Sequence, residues 1–124
     1  MGCAPRTISL GVAGFGGGRG GGMIHVGNMV TGGCIECEAV FEPVDERFEW
    51  ACEAFESRPS RCASVGEMVA DHDVDGVIIA SPNHCHWENL QELAGCGLPI
   101  LIEKPLAETW DRICEVMRFA REHS

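Results

Sequence analysis

Residues 8–22 read Ile8-Ser9-Leu10-Gly11-Val12-Ala13-Gly14-Phe15-Gly16-Gly17-Gly18-Arg19-Gly20-Gly21-Gly22. A short apolar run that stops at glycine has the form of a buried strand, here Ile8 to Ala13. The residues after the glycines, Met23 to Val30, have the form of a short helix, closed by Thr31-Gly32-Gly33. A glycine turn between a strand and a helix lets backbone amides at the helix start approach a pyrophosphate, where the helix dipole favours negative charge. Two frames fit the G-x-G-x-x-G fingerprint of dinucleotide sites. One begins at Gly14 and Gly16 but places Arg19 where a third glycine belongs; the other is complete at Gly16, Gly18 and Gly21. The first is preferred for its opening pair, because Gly14 stands where the strand must turn. Arg19 is either a further phosphate contact or a solvated arginine.

Outward from this stretch, strand and helix patterns alternate to the end of the chain. Cys37 to Phe41 reads as a second strand, stopped by Pro43. Val44, Phe48, Ala51, Cys52 and Phe55 recur at helical spacing through residues 44–56, with acids and Arg47 left for solvent. Arg61-Cys62-Ala63 reads as a brief third strand. Ser64 and Glu67 form a capping-box pair that opens a helix to Ala70. Val77-Ile78-Ile79-Ala80 is a continuous apolar run, the signature of a strand covered on both faces. The next helix starts near His86, with Trp87, Leu90, Leu93 and Ala94 on one side, and Gly95 and Gly97 end it. Ile100-Leu101-Ile102 is a fifth strand. Thr109 caps a last helix expected to turn Trp110, Ile113, Cys114, Met117 and Ala120 inward. The pattern predicts an α/β fold, a doubly wound parallel sheet of about five strands in one domain spanning residues 1–124.

Composition narrows the function. The formal net charge of −10 argues against nucleic acid, since phosphate binding needs clustered Lys and Arg. It equally disfavours anionic membrane surfaces, and no apolar run approaches the length of a span. The N-terminus lacks the layout of a signal peptide, and Met1-Gly2-Cys3 fails the myristoylation pattern because position six is Arg6. A cytoplasmic setting is the expectation. The eight cysteines then read as reduced thiols; Cys37, Cys52, Cys96 and Cys114 sit within or beside apolar segments, where a thiol behaves as a small hydrophobe.

Glu42 ends the second strand, 20 residues after Gly22. A carboxylate there can accept hydrogen bonds from the adenosine ribose hydroxyls of NAD, and it would repel the extra phosphate of NADP. NAD is therefore expected in preference to NADP. The basic residue nearest in sequence is Arg47, one turn into the following helix.

Beyond the fifth strand stands Glu103-Lys104-Pro105-Leu106-Ala107, and beyond the fourth Ser81-Pro82-Asn83-His84-Cys85-His86. Together with the glycine turn, Ala39-Val40-Phe41-Glu42-Pro43 and Asp75-Gly76-Val77-Ile78-Ile79-Ala80, these resemble the Gfo/Idh/MocA oxidoreductases, in the same order and over nearly the whole chain. The resemblance implies a Rossmann-type NAD(P)-binding domain from an enzyme acting on a hydroxyl carbon of a sugar, inositol or related polyol. It implies that Lys104 is catalytic, positioning or polarising the alcohol beside the nicotinamide. It further implies that Ser81, Pro82 and Asn83 border the cofactor with His86 at the start of the next helix, and that Glu103, Lys104 and Pro105 complete that edge. The family's α+β substrate domain, with its usual catalytic histidine, has no counterpart in residues 1–124, so this chain alone is expected to be inactive. The fifth strand is expected to be an open edge through which copies self-associate.

Other readings were weighed. A non-catalytic dinucleotide-binding module acting through a partner fits the same residues. A methyltransferase would carry an acid within the first strand, and Ile8 to Ala13 has none. Cys34, Cys37, His84 and His86 have zinc-like spacing, but the cysteines enter the second strand while the histidines leave the fourth, which puts them at opposite edges of a parallel sheet; no metal is expected. A thioredoxin-like pair would need Cys34 and Cys37 at a helix start.

Overall fold

The computed structural model describes residues 6–15, 27–28 and 33–124. Five strands form one sheet: β1 (Ile8–Ala13), β2 (Ile35–Phe41), β3 (Ser60–Cys62), β4 (Gly76–Ile79) and β5 (Ile100–Ile102). The order is β3-β2-β1-β4-β5, and every pairing is parallel. Four helices accompany them among the described residues: α1 (Asp45–Ala54), α2 (Val65–Asp71), α3 (His86–Gln91) and α4 (Trp110–Glu122). The doubly wound sheet is as the sequence predicts. The helix expected over Met23 to Val30 lies outside the described residues except for Gly27 and Asn28, which are helical.

The sheet divides the core in two. On one face Ala13, Ala39, Val77 and Ile79 pack against Val65 and Met68 of α2, Leu90 and Leu93 at α3, and Val116 of α4. On the other, Val12, Cys37, Val40 and Ile78 pack against Ala51 of α1 and Phe55. Alternation along a strand should put Cys37 and Val40 on opposite faces, because side chains repeat every two residues. They share a face because the register with β1 shifts by one residue, with Leu10 opposite Cys37 but Gly11 opposite Ala39. Such a bulge inserts an unpaired residue, here Glu38, and re-aims everything beyond it.

The capping signals hold. Ser64 Oγ accepts the Glu67 amide at 3.0 Å, while the Glu67 carboxylate reaches back to the amide of Ala63. Thr109 Oγ1 accepts the amide of Arg112 at 3.3 Å.

The inward face of α4 differs from expectation. Trp110 is 73% exposed, and Cys114, Met117 and Ala120 also face out. Val116 is the buried residue, flanked by half-buried Ile113 and Phe119. Phe119 meets Trp87 of α3 edge to face at 6.1 Å, and the Arg112 guanidinium lies over the same indole. The helix carries two apolar stripes roughly a quarter-turn apart, and periodicity cannot say which the sheet will take. The aromatic partner on α3 selects the Val116 stripe. Smaller departures are Val44 and Ala94, both exposed, and a second strand that begins at Ile35.

Candidate active site

The strand order reverses direction between β1 and β4, and in an open α/β sheet ligands bind beyond the strand carboxyl ends at that switch point. Four segments the sequence singles out lie along that carboxyl edge. Gly14 follows β1, Glu42 follows β2, Ser81 to Asn83 follow β4, and Glu103 to Pro105 follow β5.

Gly14 has φ +82°, which side-chain-bearing residues seldom adopt, and a β-carbon there would collide with the Ser81 backbone and lie 2.9 Å from Ser81 Cβ. Its amide donates to Phe41 O at 2.8 Å, which carries the β1–β2 ladder past the strand ends. The first glycine thus serves the close packing of the β1 and β4 turns. Gly16, Gly18 and Arg19 lie outside the described residues, and the fingerprint frame beyond Gly14 lies there with them.

Glu42 is 3% exposed. One carboxylate oxygen accepts the Phe15 amide at 2.8 Å and the other the Val44 amide at 3.0 Å. The acid therefore fastens the end of β1 to the end of β2, a task its spacing from the glycines did not reveal. Each oxygen retains acceptor capacity beyond one amide bond. The basic group beside this strand end is Arg61, which sequence reasoning passed over in favour of Arg47. Its Nε donates to Glu42 O at 3.1 Å, it pairs with Asp45 at 2.7 Å, and it lies over the Phe48 ring. No local motif marks Arg61; only the β2–β3 pairing brings it there.

Beyond β4, Ser81 is buried and donates from Oγ to Asn89 Oδ1 at 2.6 Å, while Pro82 and Asn83 are exposed in a 3-10 turn over Asn83–Cys85. His86, the last of the residues singled out beyond β4, opens α3. It is 1% exposed, with Nδ1 3.0 Å from Pro105 O and Nε2 2.8 Å from Ser81 O, so both ring nitrogens face backbone carbonyls.

Beyond β5, the Glu103 amide donates to Ile79 O at 2.8 Å, and Glu103 Oε1 accepts the Lys104 amide at 3.1 Å. Lys104 and Pro105 are exposed and joined by a cis peptide bond. Lys104 is thus presented at the sheet edge beyond β5.

The cysteine–histidine constellation does not converge. Cys34 lies at the amino end of β2, whereas His84 and His86 lie beyond the carboxyl end of β4, and the two strands run parallel with β1 between them. Cys37 is buried, its thiol pushed up to about 12 chiefly by desolvation. The seven cysteines among the described residues are free thiols. No helix among the described residues is long and apolar enough to cross a membrane.

Comparison with known proteins agrees with this geometry. Residues 8–124 match the family described as "Oxidoreductase family, NAD-binding Rossmann fold". Among curated relatives, the rhizopine catabolism protein MocA of Rhizobium meliloti is 34% identical over 89 residues, covering 71% of this chain and 27% of that protein. The 1,5-anhydro-D-fructose reductase of Ensifer adhaerens is 41% identical over 59 residues, 48% of this chain and 18% of its own length. Among solved structures, apo scyllo-inositol dehydrogenase from Lactobacillus casei superposes with a TM-score of 0.81 at 24% identity, over 98% of this chain and 35% of that one. The form of that species' scyllo-inositol dehydrogenase with bound NAD(H) and scyllo-inositol gives 0.78 at 26% identity, over 95% and 34%. The chain thus spans about a third or less of these relatives' length. It belongs to the Gfo/Idh/MocA oxidoreductase family, and residues 8–124 carry that family's NAD-binding Rossmann fold.

Proposed function

We propose that this chain binds NAD along the carboxyl edge of its sheet, as the nucleotide-binding part of an enzyme that oxidises or reduces a hydroxyl carbon of a sugar, inositol or related polyol. The observation that carries the reading is the meeting of Gly14 with Ser81 at the β1/β4 switch, with exposed Lys104 one strand away. The residues present fit a dinucleotide. A turn without a side chain opens the site, the Glu42 carboxylate at the end of β2 supports the reading of a ribose there, and Pro82, Asn83 and Pro105 leave an uncovered rim at the other end.

When bound, the nicotinamide supplies the hydride-accepting carbon. The chain's own work is to bind and orient. Glu42 accepts ribose hydroxyls through its remaining lone pairs and keeps NADP's extra phosphate away. The exposed Lys104 ammonium donates to the alcohol oxygen, which lowers the cost of removing its proton and fixes the carbon for transfer. Lys104 alone does not grip a polyol, so a second domain supplies the remaining contacts, and the cytoplasm is the setting for such an enzyme.

Calorimetry tests the binding half. NAD should bind the 124-residue chain more tightly than NADP, and equal or tighter NADP binding would refute the assignment of Glu42. NADH formation from inositol or glucose by the chain alone would refute the need for a second domain.

A further inference from the structure

We propose that His86 is the positioning residue that couples the β1/β4 nucleotide turn to Lys104; this deepens the NAD-binding reading and rests on it. The imidazole is buried between two backbone carbonyls that belong to different turns, Ser81 O at 2.8 Å from Nε2 and Pro105 O at 3.0 Å from Nδ1. Both partners are acceptors. A ring with one N–H makes one of these hydrogen bonds, and a ring with two makes both.

The carbonyls are not incidental. Ser81 is the residue against which Gly14 packs, and its side chain is already fixed by Asn89. Pro105 is the residue after Lys104. The residue before it, Glu103, is held by Ile79 O at the end of β4. Lys104 is therefore an exposed side chain on a backbone anchored immediately on both sides, by the strand at Glu103 and by His86 at Pro105. Because the same ring lies 2.8 Å from Ser81 O, one side chain spans the turn that receives the pyrophosphate and the lysine placed at the nicotinamide end, hydrogen-bonded to one carbonyl and packed against the other when it carries a single N–H. Sub-ångström placement of such a group matters, since small displacements of a positioned side chain carry large rate penalties.

Two variants separate coupling from general support. His86→Leu removes both contacts, whereas His86→Gln keeps one side-chain donor and restores part of the bridge. In the ligand-free chain, hydrogen exchange at the Cys85 and Glu103 amides, bonded to Pro82 O and Ile79 O, should accelerate in His86→Leu while Val12 and Val77 stay protected. With ligands, His86→Leu should weaken NAD by about tenfold and leave ADP-ribose, which lacks nicotinamide, nearly unchanged, with His86→Gln between. Equal weakening of both ligands overturns the proposal, as does unchanged exchange at Cys85 and Glu103. If both variants unfold, His86 supports the whole domain rather than this pair of turns, and the proposal falls. If the unsubstituted chain binds neither ligand, the NAD reading fails, while the exchange measurement still decides the role of His86.

Discussion

Gly14 and Ser81 touch where no side chain fits: a β-carbon on Gly14 would lie 2.9 Å from Ser81 Cβ and closer still to its backbone. Gly14→Ala therefore meets two obstacles, a φ of +82° and a backbone that cannot move without shifting β4. Gly95 has nearly the same φ, +75°, with open space around it. Gly95→Ala should cost about 1 kcal/mol from conformation alone, and Gly14→Ala at least about 2 kcal/mol more. Urea unfolding of both variants measures the difference. Equal losses would mean that the Ser81 contact contributes nothing.

Glu42 is expected to report stability as well as specificity. Glu42→Ala leaves the amides of Phe15 and Val44 without their acceptor, and a buried unpaired donor costs roughly 1–3 kcal/mol. The variant should lose about 2 kcal/mol of unfolding free energy before any ligand is added. From sequence alone the expectation is that the variant relaxes the preference for NAD over NADP before it abolishes binding. The burial of the carboxylate adds the stability loss, and denaturation of the ligand-free variant checks it.

Glu42 also shows where sequence reading stops. Its position at a strand end follows from the strand read over Cys37 to Phe41 and the break at Pro43, both local signals. Its two amide partners lie on separate segments, one of them across the β1–β2 pairing, and no spacing rule records that. His86 follows the same logic: its helix start was legible, but its burial depends on Pro105, nineteen residues away. Strands and caps were legible because hydrophobic period and capping chemistry are local. The outward turn of Trp110 and the face shared by Cys37 and Val40 were not, because one depends on packing against Trp87 and the other on a bulge. At the site, Gly14 and Lys104 could be placed at strand ends from sequence, whereas Arg61 reaches Glu42 only through sheet pairing.

Cys37 predicts the alkaline behaviour of the fold. Desolvation raises its thiol from the usual 9.0 to about 12, so the folded chain keeps the proton after the unfolded chain has released it. The stability this contributes is fully present below pH 9.0 and is lost as pH rises toward about 12. Within that window the loss is about 1.4 kcal/mol per pH unit for one thiol. Cys62 and Cys85 are also raised, chiefly by burial, and add to the slope. Cys37→Val should flatten the decline by about one thiol's share when urea unfolding at about pH 8 is compared with about pH 10.5. An unchanged slope would mean that Cys37 ionises freely in the folded chain.

The last prediction concerns β5, which ends the sheet among the described residues and pairs only with β4. Its outer backbone groups have no strand partner there, and Leu101 is 45% exposed on the same strand. Exposed Leu106 follows shortly after it, and Trp110 and Met117 of α4 are also uncovered. An apolar strand edge of this kind recruits another strand, and natural proteins suppress the tendency by placing lysine there. The 124-residue chain should therefore self-associate in a concentration-dependent way, and Leu101→Lys should return it toward monomer. The substitution points a charge into solvent from a residue already half exposed, so the fold should lose less than about 1 kcal/mol. Light scattering across a dilution series, with circular dichroism to confirm folding, makes the measurement. A chain that stays monomeric at high concentration, or a Leu101→Lys variant that associates as strongly as its parent, would show that the β5 edge is not the contact.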